Sequence, residues 1–174
     1  MARSLTSRSR QHGATLVELI MTIVIISVAI AGVVGAFSLI AGRSADPLNQ
    51  TRAVALAQLY MDEILAKQFA DASPVGGGEV GSSNADCASI GPEGIETRSS
   101  FNDVDDYATL NNAVPQNGEE QGLNGYASFQ VSVFVLCDGT NVNLAQDYQA
   151  KRINITITDP SGNNFLFSAY RGNF

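Results

Sequence analysis

The chain has 174 residues with 10 basic and 17 acidic side chains, for a formal net charge of −7. That length fits one domain with an appendage, and a hydrophobic fraction of 45% with 8 Phe and 5 Tyr excludes a disordered or collagen-like chain. The acidic balance argues against nucleic acid as a partner, because phosphate binding calls for a basic stripe.

The charges divide the chain into three zones. Residues 1–13 carry Arg3, Arg8 and Arg10 and no acid, residues 14–42 carry only Glu18, and residues 43–174 hold 7 basic and 16 acidic side chains. From Leu19 to Gly42 run 24 uncharged residues whose polar side chains are Thr22, Ser27 and Ser38, each able to return its hydroxyl to a carbonyl of the preceding turn. At ~1.5 Å per residue such a helix reaches about 36 Å, enough to cross a hydrocarbon core of ~30 Å. The apolar region of a secretory signal peptide is shorter, at about 7 to 15 residues. A core helix of a soluble domain would show polar residues recurring at helical spacing, and none recur here. Arginines concentrated before the span predict a cytoplasmic N-terminus and an exported remainder.

Immediately before the span the sequence reads Arg10-Gln11-His12-Gly13-Ala14-Thr15-Leu16-Val17-Glu18-Leu19. Gly13 lacks a Cβ, so an extended backbone at this point can approach a protease closely. Glu18 is costly at the entrance of a lipid-facing helix, since a carboxylate there needs a partner or a proton. A basic leader ending in glycine, an apolar stretch, and a glutamate at the fifth position after that glycine together resemble a type IV prepilin.

The resemblance implies that a membrane aspartyl protease, the prepilin peptidase, cuts between Gly13 and Ala14 and methylates the new amine. Ala14 stands where many mature type IV pilins have Phe or Met. It also implies that Glu18 pairs with the freed amine of its own or a neighbouring subunit, which sets axial register in a filament. The partners expected are the peptidase, other pilin subunits, the assembly machinery and the inner membrane. Loss of residues 1–13 would leave 7 basic and 17 acidic side chains.

The domains expected are a cleaved leader (1–13), a transmembrane and assembly helix (14–42), an amphipathic helix (43–69) and a β-rich head (70–174). Asp46 can cap the second helix and Pro47 fits its first position. Ala53, Leu56, Tyr60, Ile64 and Leu65 form its apolar stripe, with Arg52, Gln58, Asp62 and Lys67 elsewhere, and packing on a sheet is the default use of such a stripe. The two helical stretches are either one kinked helix or two with a break near residues 43–46. Residues 73–84 (SPVGGGEVGSSN) read as a surface loop, and their glycines are not a phosphate loop because no Lys-Ser/Thr follows. No cofactor is expected.

The C-terminal third switches to period two. In Phe129–Cys137 the odd positions are apolar, and the even ones begin polar and become apolar, so the second face should be covered near its end. Ile153, Ile155 and Ile157 mark a second strand, and Phe165, Phe167 and Ala169 a third after turn residues Asp159-Pro160-Ser161-Gly162-Asn163. Helix followed by sheet predicts an α+β, pilin-like fold: a long N-terminal helix, half membrane and half amphipathic, packed on an antiparallel β-sheet head.

Two cysteines, Cys87 and Cys137, lie on the exported side, where an even count favours a disulfide. Asn102-Asp103-Val104-Asp105-Asp106 lacks the glycine and terminal glutamate of an EF-hand and reads as a solvated acidic loop, so no metal is expected. The single histidine, His12, lies in the leader, which removes Ser-His-Asp and Cys-His catalysis from the processed chain. No enzyme is expected.

The segments RAVALAQLYMDEILAKQF, SFNDVDDY, KRINITIT and Tyr170-Arg171-Gly172-Asn173-Phe174 resemble minor pilins of mannose-sensitive haemagglutinin type pili. That implies a low-abundance subunit that helps initiate or regulate assembly of a pilus used in surface attachment. A minor pseudopilin of a type II secretion system and a membrane-anchored periplasmic binding module remain alternatives.

Overall fold

The computed structural model describes residues 15–43 and 45–174, and the chain divides into two compact units after Ala45. The leader, the Gly13–Ala14 junction and Ser44 lie outside the described residues, as do the side chains of residues 41–46, so the expectations placed on them, including the Asp46 cap and the helix break, lie there too.

In the first unit, α1 runs Leu16–Arg43. An uninterrupted run of straight and branched apolar residues leaves no breaker inside it, and Gly32 and Gly35 have open space around them. The three hydroxyls are satisfied within the helix: Thr22 donates to the Glu18 carbonyl at 2.7 Å, Ser27 to Ile23 at 2.7 Å and Ser38 to Val34 at 3.0 Å. Such back-bonding hides the only polar side chains of the span from an apolar solvent.

The second unit, from Asp46 on, holds all but the first residue of α2, Ala45–Leu65. Pro47 falls in its first turn, where the missing N–H would have no intrahelical partner in any case. Ala53, Leu56, Ala57, Tyr60 and Ile64 are buried, at spacings of three, one, three and four, while Leu65 is half-buried against the same core. The sequence pattern predicts helix to Phe69, but α2 stops at Leu65. There the Lys67 N–H turns back to the Ile64 carbonyl (3.0 Å), and Gln68 joins another strand of chain, donating to Asn102 O (3.2 Å) and accepting from Val104 N–H (3.1 Å). Tertiary pairing replaces the last helical turn and drives Phe69 into a small second cluster with Ala70, Val80 and Ala85.

Three antiparallel strands follow in the order β1 (Gln130–Cys137), β2 (Ala150–Thr158) and β3 (Asn164–Gly172). Val131, Val133 and Val135 sit opposite Ile157, Ile155 and Ile153, so the core face of the β1–β2 pair is a ladder of β-branched side chains. Each buried Val or Ile is worth about 1.5–3 kcal/mol by removal from water. Phe165 and Phe167 extend this face from β3, opposite Ile157 and Ile155. The second face of β1 stays more open than its apolar residues suggest, for Phe134 is 59% exposed and Leu136 only half-buried. The outer edge of β1 is covered by residues 110–113: Ala113 and Val131 exchange two hydrogen bonds of 2.9 Å, and the Val133 N–H reaches Leu110 O at 2.8 Å. That arrangement blunts an edge open to unwanted pairing.

The β2–β3 hairpin closes on Asp159, whose carboxylate accepts from the N–H groups of Ser161 and Asn163 (both 2.8 Å). Gly162 takes the left-handed φ of +83° that this turn requires. Residues 73–84 form no strand, and Gly76, Gly77 and Gly78 all have positive φ. The loop is nevertheless pinned at Val80, whose N–H and carbonyl both bond the side chain of Asn173, at 2.8 and 2.9 Å.

Two devices fasten the long connection between α2 and β1. Arg98 bridges to Glu63 at 2.8 Å, donates to the carbonyls of Asn117 (3.1 Å) and Gln116 (3.3 Å), and lies 4.4 Å from the Tyr60 ring centre. Tyr107 donates to the other oxygen of Glu63 at 2.8 Å, and Tyr60 exchanges bonds with Gln116. Burial, first, and then that bond to the Glu63 carboxylate push the Tyr107 phenol above its ordinary range. The second device is the disulfide between Cys87 and Cys137, with Cα atoms 5.6 Å apart and a sequence separation of 50.

Arg98→Ala should destabilise the protein by about 3 kcal/mol, since it strands Glu63 in a largely buried position. Chemical denaturation checks this, and a change under about 0.5 kcal/mol, typical of an ordinary surface substitution, would show that Arg98 does not hold the connection. The Cys87→Ser, Cys137→Ser double variant should lose about 4 kcal/mol in the same measurement, from the entropy the cross-link removes from the unfolded chain. Equal stability with and without the pair would contradict that role.

Candidate functional site

At the start of α1 the helix is capped from within the motif. Thr15 precedes the first helical residue, its hydroxyl accepts the Glu18 N–H at 3.3 Å, and its carbonyl accepts the Leu19 N–H at 3.1 Å. The sequence signal for this cap is Thr15-Leu16-Val17-Glu18 before an apolar run, a pattern that charge distribution alone does not single out. The cap places Glu18 in the first turn, where the exposed N–H groups give the helix its positive end and an acid is favoured.

Beyond Glu18, Leu16–Ile40 is long and apolar enough to cross a membrane, with a mean hydropathy of 2.7 in its most apolar window. Its large apolar side chains are between 51% and 75% exposed on every side of the helix. A surface apolar all round is suited to lipid or to neighbouring helices and not to one-sided packing on a sheet.

The head holds a second concentration of chemistry, and here the acidic loop expected to be solvated is corrected. Asp103, Asp105 and Asp106 are each 0% exposed. The chain at 102–106 folds over α2's exit through the Gln68 pairing, and a 3-10 turn over Asp105–Thr109 turns the carboxylates inward. Asp103 accepts from the N–H groups of Asp105 (3.0 Å) and Asp106 (3.3 Å) through one oxygen, and Asp106 accepts from Asn102 (2.8 Å) and Asp103 (3.1 Å) through one of its own.

Lys151, also 0% exposed, is ion-paired with Asp105 and donates to the Phe69 carbonyl at 2.8 Å. It occupies the inward-facing position two residues before Ile153, so the strand's own alternation carries a lysine into the interior. The loop supplies three more acids, Asp86, Glu93 and Glu96, around the aspartates. Asp103 is pushed up to about 8, chiefly by burial and then by the charges of Asp105 and Asp106. Burial and then Asp105 raise Asp86 and Glu93, and desolvation and then the Asp106 carboxyl raise Glu96. The disulfide borders this centre on both sides: Cys87 follows Asp86 in sequence, and Cys137 sits opposite Lys151 in the β1–β2 register.

Of the residues singled out in the sequence, the structure joins Cys87 to Cys137 and sets Glu18 in the first turn of α1, while Gly13 and Ala14 lie outside the described residues. Lys151, Asp86, Glu93 and Glu96 went unnoticed in the sequence because they are spread over 66 positions and come together only through the fold.

Compared with protein families, residues 8–34 match the prokaryotic N-terminal methylation motif. No curated protein and no solved structure matches the chain. The matched segment spans Arg8, Arg10, Gly13, Thr15, Glu18 and the first two thirds of α1, features that the charge map and the helix cap also set apart. A prepilin-type N-terminus of this kind, continued by an apolar helix and an α+β head, supports a type IV pilin-like protein, either a pilin or a pseudopilin.

Proposed function

We propose that this chain is a minor type IV pilin of the mannose-sensitive haemagglutinin kind, close to the MshD type, that helps initiate or regulate assembly of a pilus used in surface attachment. The observation that carries the proposal is the N-terminal methylation motif running without a break into an apolar helix with one acid in its first turn. The short resemblances along α2, residues 100–107, β2 and the C-terminus support the minor-pilin assignment within the class. The role is that of a structural subunit and not of an enzyme.

In this reading prepilin peptidase cuts between Gly13 and Ala14 and methylates the Ala14 amine. The precursor sits in the inner membrane as a single pass, N-terminus cytoplasmic and head periplasmic, and passes from there to the pilus at the cell surface. The freed amine and the Glu18 carboxylate have opposite charge in a medium of low dielectric, where an unpaired charge is costly and a paired one directional. A subunit entering the filament gains that pair only at one axial position, which converts an otherwise uniform apolar contact into a register. The apolar surface of α1 supplies the remaining contact, first with lipid and then with neighbouring subunits.

Gly13→Ala should accumulate the uncut precursor, because a Cβ obstructs the close approach of protease to backbone. Finding the same mature N-terminus in the variant by mass spectrometry would refute the cleavage assignment. Glu18→Val should leave processing and membrane insertion intact while depleting the chain from sheared filaments at least about tenfold, the loss that about 1.4 kcal/mol of register energy corresponds to. Wild-type amounts of the variant in filaments would exclude the register role.

A further inference from the structure

We infer that the acidic centre of the head binds a hard divalent cation, calcium by its chemistry, through Asp86, Glu93, Asp103 and Asp105, with Glu96 and Asp106 as an adjoining set of donors. This inference goes beyond the proposed role in a filament and does not depend on it.

Donor atoms of Asp86, Glu93, Asp103 and Asp105 all lie within 4.8 Å of one another, as do those of Glu93, Glu96 and Asp106. Oxygens bound at 2.3–2.6 Å on opposite sides of a calcium ion are separated by about 5 Å, so this is the spacing that such an ion imposes. Proximity of acids is not enough by itself, since acidic clusters are common on surfaces. What distinguishes this one is that Asp103 and Asp106 are fully buried and each turns one carboxylate oxygen to a position without a hydrogen-bond partner, Asp103 Oδ2 and Asp106 Oδ1. Oδ2 of Asp86 and Oε2 of Glu96 are likewise without partners.

Each such oxygen is an acceptor taken out of water with no donor in its place. Nearby donors are already committed: the N–H groups of residues 102, 103, 105 and 106 go to the opposite oxygens of Asp103 and Asp106. Lys151 is committed to Asp105 and the Phe69 carbonyl. One lysine is set against six acidic side chains, a crowding of carboxyl groups in a site of low dielectric that only protons or a cation can relieve.

A divalent cation in the first donor set would meet Asp86 and Asp103, while the other two unpartnered oxygens, on Glu96 and Asp106, belong to the adjoining set. An all-carboxylate donor set without imidazole or free thiolate selects calcium or magnesium over zinc and copper, and many carboxylates around an irregular loop suit calcium's flexible coordination better than magnesium's strict octahedron. Lys151 then acts as the fixed positive charge that holds Asp105 in place, and the exposed Glu93, which belongs to both donor sets, is the side chain that closes over the ion.

The test is calorimetric titration of the chelator-stripped, full-length mature protein in detergent with calcium chloride, alongside its thermal unfolding. Saturable binding is expected, with Kd at or below about 1 mM, the range of extracellular calcium modules, and with magnesium weaker by about tenfold. Asp103→Asn and Glu93→Gln should each weaken binding at least about tenfold, the change typical when a metal site loses one supporting group. Glu93→Gln alters an exposed side chain and so keeps the test valid if Asp103→Asn fails to fold, while Glu119→Gln, an exposed acid outside the centre, should bind like the wild type. Absence of calcium binding up to about 10 mM, well above that range, would overturn the inference. So would binding that Glu93→Gln leaves unchanged.

Discussion

The filament role proposed for this protein follows from the apolar surface of α1. The large side chains of α1 from Leu16 to Ile40 stand exposed on every face of the helix, while the head completes its own core from α2, the connection and the sheet. At roughly 25 cal/mol per Å² of apolar surface, leaving such a helix in water would cost more than the net stability of a typical domain. The helix therefore needs a second medium. Lipid supplies one and a bundle of identical helices another, and passage between the two changes little in hydrophobic energy because both are apolar. What distinguishes the media is polar, and in the described part of the span it is concentrated in Glu18.

The head answers a different demand. With β1, β2 and β3 forming only one small sheet, its core is closed by the 64-residue stretch between α2 and β1, which has no strand of its own and little regular structure beyond short 3-10 turns. Such a connection is held by specific polar contacts instead of by a ladder. Arg98 and Tyr107 converge on Glu63, Gln68 pairs with Asp103, Asn173 grips Val80, and the Cys87–Cys137 bond ties the loop to the end of β1. Lys151 and the acids around it belong to the same fastening system, and burying them gives the loop a fixed shape at an electrostatic cost.

The fold was legible in the sequence wherever periodicity carried the information. The uncharged run announced α1, the stripe Ala53, Leu56, Tyr60 and Ile64 announced α2, and Ile153, Ile155 and Ile157 announced the inward face of β2. The acidic centre was not legible, because burial of Asp103, Asp105 and Asp106 is a tertiary event. It depends on Gln68 leaving the helix to pair across 35 residues and on Lys151 arriving from β2. Nothing local separates these aspartates from a solvated loop. The one usable signal was Lys151 itself, an inward position by the same alternation that placed the isoleucines, and a buried lysine implies an acid to meet it. The end of α2 differs from the sequence pattern for the same reason, since the favourable pattern through Phe69 competes with a pairing partner more than thirty residues away.

The account is tested most directly by mass spectrometry of sheared surface filaments from cells expressing the unaltered chain. It predicts that the chain is present at low ratio to the main subunit and begins at Ala14, with the N-terminal amine methylated. A chain that keeps residues 1–13, or one that stays in the membrane fraction and is absent from filaments, would contradict it.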